Sequence, residues 1–107
     1  MCDNETAVQH LLSYLEETEE LIVRLPKEKR KELSIARWVA EELITALMDH
    51  PWDNVCGLVD TFSIKMLYFS SQAQAEGHYT AKKIFSNAAL QASRWFYVFL
   101  EEGDTTS

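Results

Sequence analysis

Residues 55–99 read VCGLVDTFSIKMLYFSSQAQAEGHYTAKKIFSNAALQASRWFYVF, and this stretch contains two matching patterns of apolar side chains. Each pattern advances by steps of four and three residues, the spacing that keeps one face of a helix against a neighbouring helix. The first pattern comprises Val55, Val59, Phe62, Met66, Phe69 and Ala73, and the second comprises Ala81, Phe85, Ala88, Ala92, Trp95 and Phe99. They are out of phase by one residue across residues 76–79, where Gly77 is suited to ending a helix. We therefore predict helices at about 53–75 and 80–101; the alternative is one long bent helix.

The N-terminal half predicts two further amphipathic helices, at about 4–24 and 27–49. Apolar residues recur there at steps of three and four. Pro26 separates the two helices, because a proline pushes the preceding residue out of the helical region and suits the start of the next helix. The pair His50 and Pro51 ends the second one.

Four amphipathic helices joined by short links predict an all-α, up-down-up-down four-helix bundle. The chain has only three glycines and two prolines among 107 residues, so it has few places to turn. We interpret residues 1–107 as a single helical domain with frayed termini at 1–4 and 103–107. The residues expected to be nearly fully buried are Leu15, Ile22, Ala40, Leu47, Phe62, Met66, Phe69, Phe85, Ala88, Ala92 and Trp95.

The composition is acidic, with a net charge of −7 and a pI of about 4.8. Such a surface repels phosphate groups and anionic lipids, so we expect no direct nucleic-acid or membrane partner. There is neither a signal-peptide pattern nor an apolar run long enough to span a membrane, and Cys2 and Cys56 form no disulfide framework. A cytoplasmic protein is expected. Its size and charge are typical of small helical proteins from bacterial and phage genomes, but no motif identifies a family.

The sequence contains only half of one metal-binding motif. Di-iron bundles need Glu-x-x-His, and no His in the chain has an acidic residue three positions before it. The pairs Glu16/Glu19 and Glu17/Glu20 supply one half of the carboxylate set of an all-α pyrophosphohydrolase. The other half would need a Glu three residues before Asp49, Asp53 or Asp60, and those positions hold Ala46, His50 and Gly57. We predict no catalytic residue, metal or cofactor, with an enzyme of pyrophosphohydrolase type as an alternative.

Glu19 falls within the apolar stripe of the first helix, on a helical wheel. A partly buried carboxylate needs a partner. Arg37 and Lys65 lie at the edges of the stripes on the second and third helices, so a buried ion pair of Glu19 with Arg37 or Lys65 is the hypothesis.

A second apolar face is the strongest functional indication in the sequence. Three helices carry large apolar side chains well away from their core stripes, and contiguous exposed apolar patches mark interfaces. The predicted interface comprises Ile35, Trp38, Ile64, Leu67, Tyr68, Leu90, Tyr97 and Val98. We expect a non-catalytic protein that acts by protein–protein interaction, as a homodimer. The alternative is an acidic, phage-type inhibitor or regulator of a basic or nucleic-acid-handling protein.

Overall fold

The computed structural model describes residues 3–105, with side chains through Glu102, and it contains four helices. These are α1 (Asn4–Arg24), α2 (Lys27–Asp49), α3 (Val55–Ala75) and α4 (Tyr79–Thr105), and no strand occurs in that range. The all-α prediction is confirmed. The predicted bounds of α1 and α2 agree with the structure, whereas α3 starts two residues later than 53 and α4 runs past 101 to Thr105.

Part of each predicted frayed end is helical in the structure. Asn4 is already helical, and its side-chain amide donates to the carbonyl of His50 at 3.2 Å. The backbone of residues 103–105 continues α4. The rest of that prediction, residues 1, 2, 106 and 107, lies outside the described range.

Local capping explains where α1 and α3 begin. The carboxylate of Asp3 accepts from the amide of Thr6 at 2.7 Å, and hydrogen bonding to the side chain and amide of Thr6 lowers the pKa of Asp3. Asn54 accepts in the same way from the amide of Gly57 at 3.0 Å. Each cap satisfies an amide that has no partner within the first turn of its helix.

The chain reverses between α3 and α4 through a glycine turn, so the alternative of one continuous helix is wrong. Gly77 has a φ of +79°, a conformation that favours glycine. The amide of His78 donates to the carbonyl of Ala73 at 2.8 Å, and the amide of Gly77 donates to Gln74 at 3.1 Å. This pair of bonds is the Schellman arrangement, which closes a helix with its own backbone.

The helices form two layers, the α1/α2 hairpin and the α3/α4 hairpin. α3 packs closely against α4 and α1 against α2, and α2 joins the layers through contacts with α4 and α3. The molecule measures 45 × 34 × 23 Å, and its smallest dimension is about two helix diameters. Its radius of gyration is 14.5 Å, against about 13 Å for a compact chain of this length. Each layer therefore has one face toward the core and one outer face.

The core consists mostly of small and medium side chains, together with the fully buried ring of Phe99. Of the residues predicted to be buried, five are: Ala40, Leu47, Met66, Ala88 and Ala92. The other six are only partly buried: Leu15, Ile22, Phe62, Phe69, Phe85 and Trp95. The four aromatic rings among them lie at the edge of a thin core, as in the pair Phe69 and Phe85 with centroids 5.4 Å apart. Among the described residues, no helix is both long and apolar enough to cross a membrane.

Candidate interaction surface

A seam of serines sets the register between α3 and α4. The hydroxyls of Ser70 and Ser86 lie 2.6 Å apart, and those of Ser63 and Ser93 lie 3.3 Å apart. Ser63 also donates to the carbonyl of Ala89 at 3.3 Å, and Ser70 is buried. Small side chains let the two helix backbones approach, and the hydroxyls of the buried Ser63 and Ser70 find partners in Ser93 and Ser86.

This register determines which side chains point away from the core. At about 100° per residue, Leu67 lies about 40° from Ser63 on α3, and Leu90 lies about 40° from Ser86 on α4. Phe62 and Phe85, which pack on the core, each lie about 100° from the same serine in the opposite sense. Leu67 and Leu90 therefore flank the serine seam on the outer side of the α3/α4 layer.

Six of the predicted interface residues share this side, which we call the outer face. Five of them are between 52% and 62% exposed: Ile64, Leu67, Tyr68, Leu90 and Tyr97. Val98 is 39% exposed and lies at the edge of the face. Because the bundle has only two layers, none of the four helices within residues 3–105 covers these side chains.

Ile35 and Trp38, the other two residues of the predicted interface, lie on α2 and are not part of the outer face of α3 and α4. Ile35 is partly buried against the core. The Trp38 ring lies 6.1 Å from that of Phe62, centroid to centroid, in the cleft between α2 and α3. Ile35 is thus drawn into the packing of the core, whereas Trp38 remains 37% exposed beside Phe62.

Charged residues surround the apolar part of the outer face. Asp60 and Lys83 are both exposed, and each lies about 60° from the seam serine that follows it by three residues. Arg94 is exposed further round α4. Within residues 3–102, neither Asp60 nor Lys83 forms an ion pair. These side chains are available to a molecule that docks on the face.

The predicted buried ion pair of Glu19 is not formed. Glu19 is exposed, and the Arg37 guanidinium instead donates to the carbonyl of Leu15 at 2.7 Å and to the hydroxyl of Thr18. Thr18 in turn donates to the carbonyl of Tyr14 at 2.7 Å. Thr18 occupies the buried position one residue before Glu19, and neutral acceptors satisfy Arg37 there without burying a carboxylate.

The other predicted partner of Glu19, Lys65, lies on the exposed part of α3. Its ammonium group stands 6.0 Å from the centre of the Phe69 ring, at the limit of a cation–π contact. Lys65 therefore lies beside Phe69 at the edge of the core and takes no part in a buried charge pair.

Glu16 and Glu19 line an open groove on α1 together with Arg37. Both carboxylates are exposed. Among the described residues, no group of three or more His, Cys, Asp or Glu side chains is placed to hold a metal ion. The Glu-x-x-Glu motif thus stands on a solvated surface, where it can attract cations only weakly.

The half-buried Cys56 is the one cysteine within the described range, and its environment makes it a poor nucleophile. Burial raises the pKa of the Cys56 thiol, which disfavours the reactive thiolate. Cys2 lies outside the described range.

Comparison of the chain with models of known protein families, with curated protein sequences and with solved structures finds no match.

The serine seam was missed at the sequence level, although its signal is present. Ser63 and Ser70, like Ser86 and Ser93, are seven residues apart, which is the repeat of a packed helical pair. A search limited to apolar residues passes over such positions, because it scores serine as polar and not as small.

Proposed function

We propose that this protein is a non-catalytic interaction module that binds a second copy of itself through the outer face of α3 and α4. The observation that carries the proposal is the exposure of five large apolar side chains on one face of a two-layer fold. Covering such a face removes apolar surface from water, which is the main favourable term in protein association. A symmetric dimer is the commonest way for one chain to cover its own surface.

The residue types on the outer face also fit an interface. Tyr68 and Tyr97 combine a large apolar ring with a hydroxyl that remains able to form hydrogen bonds in a partly wet contact. The Tyr68 hydroxyl already accepts from the side-chain amide of Gln72 at 2.7 Å. Leu67 and Leu90, at the centre, are the side chains that a partner would exclude from water most completely.

Sedimentation velocity and light scattering at 1–100 µM protein test the proposal. We expect a dimer for the wild type. Each of the variants Leu67→Glu and Leu90→Glu places two carboxylates, one from each copy, at the centre of the interface, where water is excluded. Each variant should therefore raise the dimer Kd by at least roughly 30-fold. Helical circular dichroism should be unchanged, because both positions are exposed in the single chain.

Val23→Glu is the matched control. Val23 is 71% exposed on α1, in the other layer, so the same change should leave the dimer intact. A wild type that stays monomeric at 100 µM overturns the proposal, and so does a Leu67→Glu variant that dimerises as well as the wild type.

A further inference from the structure

We infer that a groove between α1 and α4 binds a small aromatic monocarboxylate, with the carboxylate on the Arg94 guanidinium and the ring against Trp95. The site lies within one chain, so this inference does not depend on the proposed self-association. The groove has a volume of about 270 Å³, and five residues line it: Tyr14, Gln91, Arg94, Trp95 and Val98. This volume is near the lower limit of ligand pockets, which suits a small molecule.

Contacts between α1 and α4 define the groove. The Trp95 ring meets the Tyr14 ring of α1 edge to face, with centroids 5.5 Å apart and an interplanar angle of 85°. Val98 lies three residues further along α4, and one turn beyond it the carboxylate of Glu102 lies 2.5 Å from the imidazole of His10. Two bridges therefore join the helices on this side, and both are made by helical residues rather than by a loop.

The groove offers hydrogen-bond donors and positive charge without a counterpart. Within residues 3–102, Arg94 forms no ion pair, and the Tyr14 hydroxyl forms no hydrogen bond. Burial raises the pKa of Tyr14 against the opposing effect of the charges of Arg37 and Arg94, so the hydroxyl keeps its proton at neutral pH. None of the five lining residues is acidic. In a chain with a net charge of −7, such a site attracts an anion.

The chemistry of the lining selects the class of anion. A guanidinium presents a planar fork of N–H groups that matches a carboxylate with two parallel hydrogen bonds. Arg94 is the one cation of the groove, because Arg37 already donates to a carbonyl and a hydroxyl of α1. A single negative charge is therefore matched. The half-buried Trp95 offers a flat ligand ring the offset or edge-to-face contact that aromatic pairs prefer.

Titration of the ¹⁵N-labelled protein with phenylacetate, followed by NMR, tests this site. We expect saturable shifts of the Trp95 indole and Arg94 signals, with a Kd that is about millimolar or lower for a ligand of this size. Phenylacetamide keeps the ring without the charge, and acetate keeps the charge without the ring. Each should bind at least about tenfold more weakly than phenylacetate.

Variants assign the two contacts of the carboxylate. Arg94→Gln removes the charge at an exposed position and should raise the Kd for phenylacetate about tenfold or more. Tyr14→Phe keeps the ring contact with Trp95 and should raise it about threefold or more. Arg30→Gln is the matched control, the same change at an exposed site on α2, and should alter the Kd by less than about twofold.

Three results would overturn the inference. The first is the absence of saturable shifts at Trp95 with phenylacetate at about 20 mM, well above the expected Kd. The second is an Arg94→Gln variant that binds phenylacetate as tightly as the wild type does. The third is a wild type that binds phenylacetamide or acetate as tightly as phenylacetate, since the site would then recognise only a ring or only a charge.

Discussion

The two hairpins of this protein are packed in different ways, and the difference follows from the side chains between their helices. Serine and alanine line the seam of α3 and α4, and buried residues extend along α3 from Val55 to Ala73. Between α1 and α2 the last buried residue of α1 is Thr18, and the first of α2 is Ala36. Small residues between α3 and α4 allow the two helices to stay in contact along their whole length. Between α1 and α2 the side chains are larger and include Arg37, and the end of that hairpin is left exposed to solvent.

The largest expected effect contrasts the two parts of α1. Leu11 is fully buried, and Leu11→Ala should lower the free energy of unfolding by about 2–5 kcal/mol, because it leaves a cavity in a thin core. Leu21 is 46% exposed near the open end, and Leu21→Ala should change it by about 0.5 kcal/mol or less. Urea denaturation measures both. Equal losses would mean that the end of the α1/α2 hairpin is packed after all.

A smaller effect is expected from the polar contact between α1 and α2. Arg37→Met removes the donor to Leu15 and Thr18 and should cost about 1.5–3 kcal/mol, as for a hydrogen bond from a charged group. Arg30→Met is the control, because exposed Arg30 makes one bond to the carbonyl of Leu25 at 3.0 Å, in solvent. Urea denaturation again measures the free energy of unfolding of both variants. Equal losses would contradict the idea that the hydrogen bonds of Arg37 between the helices stabilise the fold more than a solvent-exposed bond does.

The smallest effect concerns the serine seam. Ser70→Ala leaves the Ser86 hydroxyl without its side-chain partner and should cost about 1 kcal/mol. The double variant S70A/S86A should cost less than the sum of the two single changes, since both polar groups are then removed together. Ser71→Ala, at an exposed position, provides the baseline. Strict additivity in this thermal or urea cycle would contradict a direct Ser70–Ser86 bond.

The helix bounds could be predicted because their signals are local. Pro26, Asn54 and Gly77 each act on the backbone within a turn of their own position, so no knowledge of the tertiary structure is needed. The exposure of Leu67, Leu90 and Tyr97 could be predicted too, because the spacing of apolar residues within one helix shows which side chains lie away from its core stripe.

The remaining features depend on how the two layers meet, which no single helix encodes. Ile35 looks like a surface residue on the wheel of α2, but it is partly buried against the core. Trp38, beside Phe62, remains 37% exposed. Glu19 and Thr18 differ by one position, and only the depth of the α1/α2 contact places Thr18 inside and Glu19 outside. The thin core has the same origin: Phe99 is fully buried in it, whereas Phe62, Phe69, Phe85 and Trp95 are only partly buried.

The glycine turn between α3 and α4 also has a consequence for the unfolded chain. Its two backbone bonds come from neighbouring residues and need nothing from α1 or α2. The Ser70–Ser86 contact that follows closes a loop with a sequence separation of 16 residues, whereas the contact of His10 with Glu102, at 2.5 Å, spans nearly the whole chain. Loop-closure entropy grows with the logarithm of length, so the shorter closure costs roughly 1.5 kcal/mol less. In the unfolded ensemble, α3 and α4 therefore have a lower entropic barrier to meeting than α1 and α4 have.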